Sequence, residues 1–214
     1  GTSIWRTSDR TYVRKLDGNY GSGVVKAITA DGERVVGYDG TDAIIWRFSD
    51  GWLIRKVYGV NVEAITPDGG MAVGAFSGYP SRKGVWRLSD GALLFNIPGS
   101  GTSEVSSDGG RVYVPGSGKL WKLNDGSAAY FLTGYAGAYS SALTPDGRSA
   151  LIGYHDYDYG FYLAKRPAAS GNSGSWHITA GDRRTRISPL NISPDGQFFT
   201  ATHSSSLTKI RRVD

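Results

Sequence analysis

Cysteine is absent from this 214-residue chain. That excludes disulfides, thiolate metal sites and a cysteine nucleophile, and it leaves the compartment unassigned. No apolar run reaches the length needed to span a bilayer, so no membrane partner is expected. The opening residues, GTSIWRTSD, carry no charged, apolar and small-residue leader. No segment has a convincing 3.6-residue apolar period, so helices are not expected. Concentrated charge is lacking too. The net charge is +5, but the basic residues are scattered, with clusters only at Arg183, Arg184 and Arg186 and at Lys209, Arg211 and Arg212. Scattered charge reads as a solvated surface, and no nucleic-acid partner is expected.

Glycine and aromatics are plentiful: 31 glycines, 13 tyrosines and 6 tryptophans. With Ser, Thr and Asp around them, they are the composition of short strands joined by tight turns. One phrase recurs five times, as AITADGERVVG, AITPDGGMAVG, EVSSDGGRVYV, ALTPDGRSALI and NISPDGQFFTA. Its turn aspartates are Asp31, Asp68, Asp108, Asp146 and Asp195, spaced 37, 40, 38 and 49 residues apart. Between them runs a second phrase, as in IIWRFSDGWLIRKV, GVWRLSDGALLFNI and KLWKLNDGSAAYFL, with an opening copy, SIWRTSDRTYVRKL. Its tryptophans are Trp5, Trp46, Trp86 and Trp121; Tyr162 and Ile210 take that place in the last two repeats.

Each repeat therefore reads as four strands, in the first copy over Val24–Thr29, Arg34–Tyr38, Ala43–Phe48 and Trp52–Tyr58. The Asp-Gly pairs supply the positive φ that a two- or three-residue hairpin loop needs. Tandem four-stranded units of about 40 residues are the signature of a β-propeller.

The stretch AITPDGGMAVGAF…KGVWRLSDGALLFNI resembles a WD-repeat blade: apolar strand, Ser/Thr-Pro-Asp-Gly, apolar strand, then an apolar-Trp strand. The resemblance extends over essentially the whole chain and implies a divergent, bacterial-type WD-like propeller. Two departures stand out. The tryptophan is followed by Arg6, Arg47, Arg87 or Lys122 rather than by Asp, and no Gly-His pair precedes a first strand. The hydrogen-bond network those family residues form within a blade is thus missing here.

The expected fold is all-β: a propeller of five four-stranded blades over residues 1–214 as a single domain. The repeats run about 24–59, 60–99, 101–134, 138–180 and 187–214, with 1–18 added, and N- and C-terminal strands close the ring in one blade. The N-terminus offers two strands, the four full repeats four each and the C-terminus three, one more than a five-bladed ring uses. The alternative is a fragment of a larger propeller, and the assembly is a monomer or a strand-exchanged oligomer.

Function is expected on the face opposite the Asp-Gly turns, where the connecting loops differ in length and content. The candidate binding residues there are Tyr20, Tyr38, Phe76, Tyr79, Arg82, Tyr135, Tyr139, Tyr154, His155, Tyr157 and Tyr159. Tyr with Gly and Ser is the composition of a recognition surface. First-strand positions would line the channel mouth, with Lys26, Glu63, Ser103, Glu104 and Ser141 as its polar residues. Glu63 and Glu104 come from adjacent repeats and are the only candidate acid pair. Five-bladed glycosidases, as a family, place three carboxylates in the channel, and no third acid holds such a position here. His155, Asp156 and Asp158 are too few and too loop-like to argue a metal site, and the Gly-Ser-Gly stretches at 21–23 and 116–118 are too short for phosphate loops. No catalytic residue, metal or cofactor is expected. The leading expectation is a non-catalytic scaffold for a protein or peptide partner. The alternative is a carbohydrate-binding, lectin-like propeller, with a glycosidase behind it.

Overall fold

The computed structural model describes residues 2–16, 24–131, 138–156, 160–167, 176–179, 187–193, 195–203 and 208–212. Among these the regular elements are strands, apart from one 3-10 turn over Pro115–Ser117. A two-stranded sheet, β1 (Ser3–Trp5) and β2 (Tyr12–Lys15), comes first. Four four-stranded sheets follow, each a meander in chain order. They are β3 (Val24–Ile28), β4 (Arg34–Tyr38), β5 (Ala43–Arg47) and β6 (Leu53–Val57); β7 (Val60–Ile65), β8 (Met71–Phe76), β9 (Tyr79–Arg87) and β10 (Leu93–Pro98); β11 (Glu104–Val105), β12 (Arg111–Val114), β13 (Lys119–Lys122) and β14 (Ala128–Phe131); and β15 (Ala138–Leu143), β16 (Ser149–Asp156), β17 (Gly160–Pro167) and β18 (Trp176–Thr179). A three-stranded sheet, β19 (Ile187–Ile192), β20 (Phe198–His203) and β21 (Thr208–Arg212), ends the series. The sequence of two, four times four and three strands is the one the repeated phrases predict.

The recurring turn is built from three residues, the Ser or Thr as well as the Asp and Gly. In the first copy the Thr29 carbonyl accepts from the Gly32 N–H at 2.8 Å. Across the hairpin the Thr29 N–H donates to the Arg34 carbonyl at 3.0 Å, and the Thr29 hydroxyl accepts from the Arg34 N–H at 3.0 Å. The same hydroxyl donates to Asp31, whose Oδ1 also accepts from the Glu33 N–H at 2.9 Å. Gly32 holds φ +70°, the left-handed region that glycine enters at least cost. Thr66, Ser106, Thr144 and Ser193 each accept the equivalent backbone N–H. The loop thus has four residues between Thr29 and Arg34. It is longer than the expected two or three, and the Thr29 hydroxyl rather than its carbonyl accepts the Arg34 N–H.

Compactness divides the chain into Gly1–Asn96 and Ile97–Asp214. In the first unit three sheets stack face to face, so the β3–β6 sheet is buried on both sides. Val35 opposes Trp46 and Val36 opposes Ile45 across β4 and β5. The first pair packs with Leu16 below β2, and the second packs with Val60, Val62 and Trp86 of the next sheet. Two-sided burial explains the near-continuous apolar strands, and each fully buried aliphatic side chain contributes roughly 1.5–3 kcal/mol. Gly37 makes room for the indole: a Cβ there would lie 2.8 Å from Trp46 Cζ3. Trp46 and Trp86 are 3% and 4% exposed, whereas Trp5, in the two-stranded sheet, is 60% exposed. In the second unit, Tyr113 and Leu120 pack against Ala150 and Ile152 of the following sheet, and β15 lies against β19.

Candidate functional site

In the first unit, three connections from two neighbouring sheets converge at the strand ends opposite the Asp-Gly turns. Asp39, at the end of β4, accepts the N–H groups of Thr41 and Asp42 at 3.0 and 2.8 Å on Oδ1, which folds the β4–β5 connection onto itself. Asp42 Oδ1 accepts the Gly59 N–H of the β6–β7 turn at 2.7 Å. Lys56 Nζ, on β6, lies 3.1 Å from Asp39 Oδ2 and 2.9 Å from Asp42 Oδ2. Ser77, in the β8–β9 turn, donates its hydroxyl to the Thr41 carbonyl at 2.5 Å and its N–H to the Gly59 carbonyl at 2.9 Å. Burial works against the Asp39 carboxylate, but the Asp42 and Thr41 N–H groups and the Lys56 ammonium outweigh it and hold its pKa below the usual range. The Asp42 and Asp39 carboxylates in turn raise that of Lys56. The two acids thus share one ammonium, take up backbone N–H groups with their other oxygens, and fix three turns as one platform.

The platform displays aromatic rings. Tyr58 is 78% exposed and Tyr79 is 62% exposed. The Lys56 ammonium stands 5.5 Å from the Tyr58 ring centroid. Tyr38 donates its hydroxyl to the Gly40 carbonyl and is only half-buried. Phe76 packs edge-on against Trp86, with centroids 5.2 Å apart, and carries the Arg82 guanidinium 5.4 Å from its own centroid. Ala75 pairs with Lys83 and Phe76 with Tyr79, so Pro80, Ser81 and Arg82 form a bulge on β9. Neither β4–β5 nor β12–β13 shows such an irregularity.

The polar first-strand residues separate into two kinds. Lys26 and Glu63 are each the extra residue of an inner-strand bulge, between Val25 and Ala27 and between Val62 and Ala64. Lys26 is exposed. Glu63 pairs with Lys83, which is 1% exposed. In the second unit Ser103 and Ser141 are buried. Glu104 reaches across to β15, where Ser141 Oγ donates to Oε1 and the Leu143 N–H to Oε2, both at 3.1 Å. Thr144 bonds toward β16, so the neighbouring Leu143 N–H points to the open edge of its sheet and Glu104 satisfies it. Burial pushes the Glu104 pKa up to about 7, against the lowering effect of the Ser141 and Leu143 donors. Burial, reinforced by the Glu104 charge, also raises that of Tyr113. A carboxyl titrating near neutrality has the acidity of a general acid, but both Glu104 oxygens are occupied by β15.

Of the sequence-predicted loop residues, Tyr38, Phe76, Tyr79 and Arg82 come together on or beside the platform. Tyr139, Tyr154 and His155 lie on β15 and β16 rather than in loops, because β15 pairs with β16 from Ala138 opposite Tyr154 and the β16–β17 hairpin pairs as far as Asp156 with Gly160. Tyr20, Tyr135, Tyr157 and Tyr159 lie outside the described residues. Tyr58, Lys56 and the two acids were not singled out by sequence; a Tyr-Gly pair between apolar strands, VYGV at 57–60, was the available signal. Among the described residues no group of three or more His, Asp and Glu side chains is placed to hold a metal ion. No helix among them is long and apolar enough to cross a membrane.

No family model matches the chain, and no curated protein matches it. Among solved structures, 869 chains match in fold. One is Kuenenia stuttgartiensis hydrazine synthase, with a TM-score of 0.63 at 16% identity over 82% of this chain and 54% of that one. The chain therefore spans about half the length of that neighbour. Likeness at this identity is one of fold alone.

Proposed function

We propose that this chain is a non-catalytic scaffold that binds a protein or peptide segment across the loop end of its sheets. The fold that accompanies this reading is a divergent WD-like propeller of five blades, one of them completed by both chain ends. One observation carries the function: turns from two neighbouring sheets are tied by side chain-to-backbone bonds into one platform that displays Tyr58 and Tyr79. Exposed tyrosines on a preorganised backbone bind with little ordering cost. Selection from a random-peptide display library tests it. Enriched peptides should bind the Tyr58→Ala/Tyr79→Ala variant at least about tenfold more weakly, in the range of an interface hot spot. The thermal midpoint should not move, since both rings are exposed. Peptides that bind the double variant unchanged, or a selection that enriches none, would remove the reading.

A further inference from the structure

The platform's acids are turned inward, and the exposed charge of its turns is that of Arg82. Asp39 and Asp42 are paired with Lys56, and Glu63 with Lys83. Arg82 is exposed and makes no ion pair among the described residues. Its place is built rather than incidental. The second- and third-strand pairs β4–β5 and β12–β13 run in unbroken register, whereas β8–β9 inserts three residues before Lys83 and so turns Arg82 outward. There the guanidinium lies over the Phe76 ring, which is itself anchored on the buried Trp86. Stacking on an aromatic face leaves the planar N–H fork free to receive a carboxylate in bidentate fashion. Phe76 pairs with Tyr79, and Ser77 bonds to Gly59 beside Tyr58, so both exposed rings stand on turns that adjoin the Phe76–Arg82 pair.

From this juxtaposition we infer that the loop platform of the first unit docks an acidic peptide segment, with one Asp or Glu carboxylate on Arg82 and apolar side chains against Tyr58 and Tyr79. The inference rests on the scaffold reading and names its partner's chemistry. Charge complementarity selects the occupant: the exposed charge of these turns is the Arg82 cation, while the Asp39 and Asp42 carboxylates are engaged by Lys56 and by backbone N–H groups.

Fluorescence anisotropy with a labelled peptide alternating glutamate and leucine tests it, against the same peptide with glutamine for glutamate and against inorganic polyphosphate. The acidic peptide should bind, weaken with added salt, and lose about tenfold or more in affinity on Arg82→Glu, with Arg82→Lys in between. Tyr58→Ala/Tyr79→Ala should also weaken it. If the glutamine peptide binds equally and only the tyrosine changes matter, the acidic assignment falls and the scaffold reading stands. Polyphosphate binding as tight as that of the peptide would overturn a peptide partner. If the acidic peptide does not bind, the inference fails, and peptides from the random selection then decide the scaffold reading separately. Exposed Arg82 can be changed without loss of folding, which unaltered thermal midpoints will verify.

Discussion

Glu63 and Glu104 stand on the first strands of consecutive sheets, each in its own compact unit, and each loses most of its water. Glu63 sits on a bulge and meets a full counter-charge, the buried Lys83 ammonium. Glu104 is in register opposite Tyr113 and meets two neutral donors, a hydroxyl and a backbone N–H. The repeat thus tolerates a carboxylate against its inner packing in two ways. Where a cation is supplied, the charge is paired. Where only dipoles are supplied, burial outweighs them and the pKa of Glu104 climbs to about 7. Bulge and register thus lead the two side chains to different partners, a cation for Glu63 and two neutral donors for Glu104.

The largest effect should come from breaking the first arrangement. Glu63→Gln leaves the Lys83 ammonium buried without its counter-ion, and loss of one member of a buried pair costs about 3–5 kcal/mol. Denaturant unfolding measures it. Adding Lys83→Met should recover most of the loss, because a matched apolar replacement removes the uncompensated charge as well. A single-variant loss of under about 1 kcal/mol would place the two glutamates on the same footing and break the comparison.

The second arrangement should show itself in pH dependence. Glu104 in the unfolded chain titrates near 4.5 and in the folded chain near 7. Between those values the folded state binds more protons, so stability should be fullest below about 4.5 and fall as pH rises toward 7. The full span is about 3 kcal/mol at 1.36 kcal/mol per pKa unit. The turn and platform aspartates with depressed pKa values act in the opposite sense and at lower pH, because their contribution is lost as pH falls through the folded value. Unfolding free energies of the parent and Glu104→Gln should therefore follow different slopes over this window, with the variant flatter. Ser141→Ala removes a donor that favours the ionised form, and should move the fall to higher pH. An unchanged slope in Glu104→Gln would assign the titration to another group.

The same contrast explains what was legible in the sequence. The Asp-Gly phrases and the tryptophans mark the sheets because each acts within a few residues: Asp31 bonds two residues away, and Trp46 lies over Gly37 of the adjacent strand. The Ser or Thr of the turn was visible in every copy, but its role as acceptor of the N–H across the hairpin is revealed only by the bond pattern. The platform was legible only in part. Gly59 meets Asp42 across 17 residues, Ser77 meets Thr41 across 36, and Glu104 meets Ser141 across 37. Those partners are set by how sheets stack, and no local spacing encodes that. The bulge carrying Arg82 did leave a trace, since AFSGYPSRKG is longer than the corresponding connection YDGTDA.

The smallest effect is expected where an ion pair of the same chemistry lies in water. Arg47 and Asp50 approach to 2.6 Å in the Ser-Asp-Gly turn, and the repeat writes the same tie as Arg6 with Asp9 and Arg87 with Asp90. This is the use to which the chain puts the basic residue after each of those tryptophans. Their side chains are well exposed, so water and salt screen the attraction and little stability is expected from it. Asp50 also closes the turn. Its Oδ1 accepts the Trp52 N–H at 3.0 Å, and this bond, ahead of the Arg47 side chain, holds its pKa below the ordinary value. Arg47→Ala should therefore leave the denaturation midpoint within error at moderate salt, while Asp50→Ala lowers it by freeing a turn N–H. If Arg47→Ala lowers the midpoint as much as Glu63→Gln does, then burial is not what separates a structural ion pair from a surface one in this repeat.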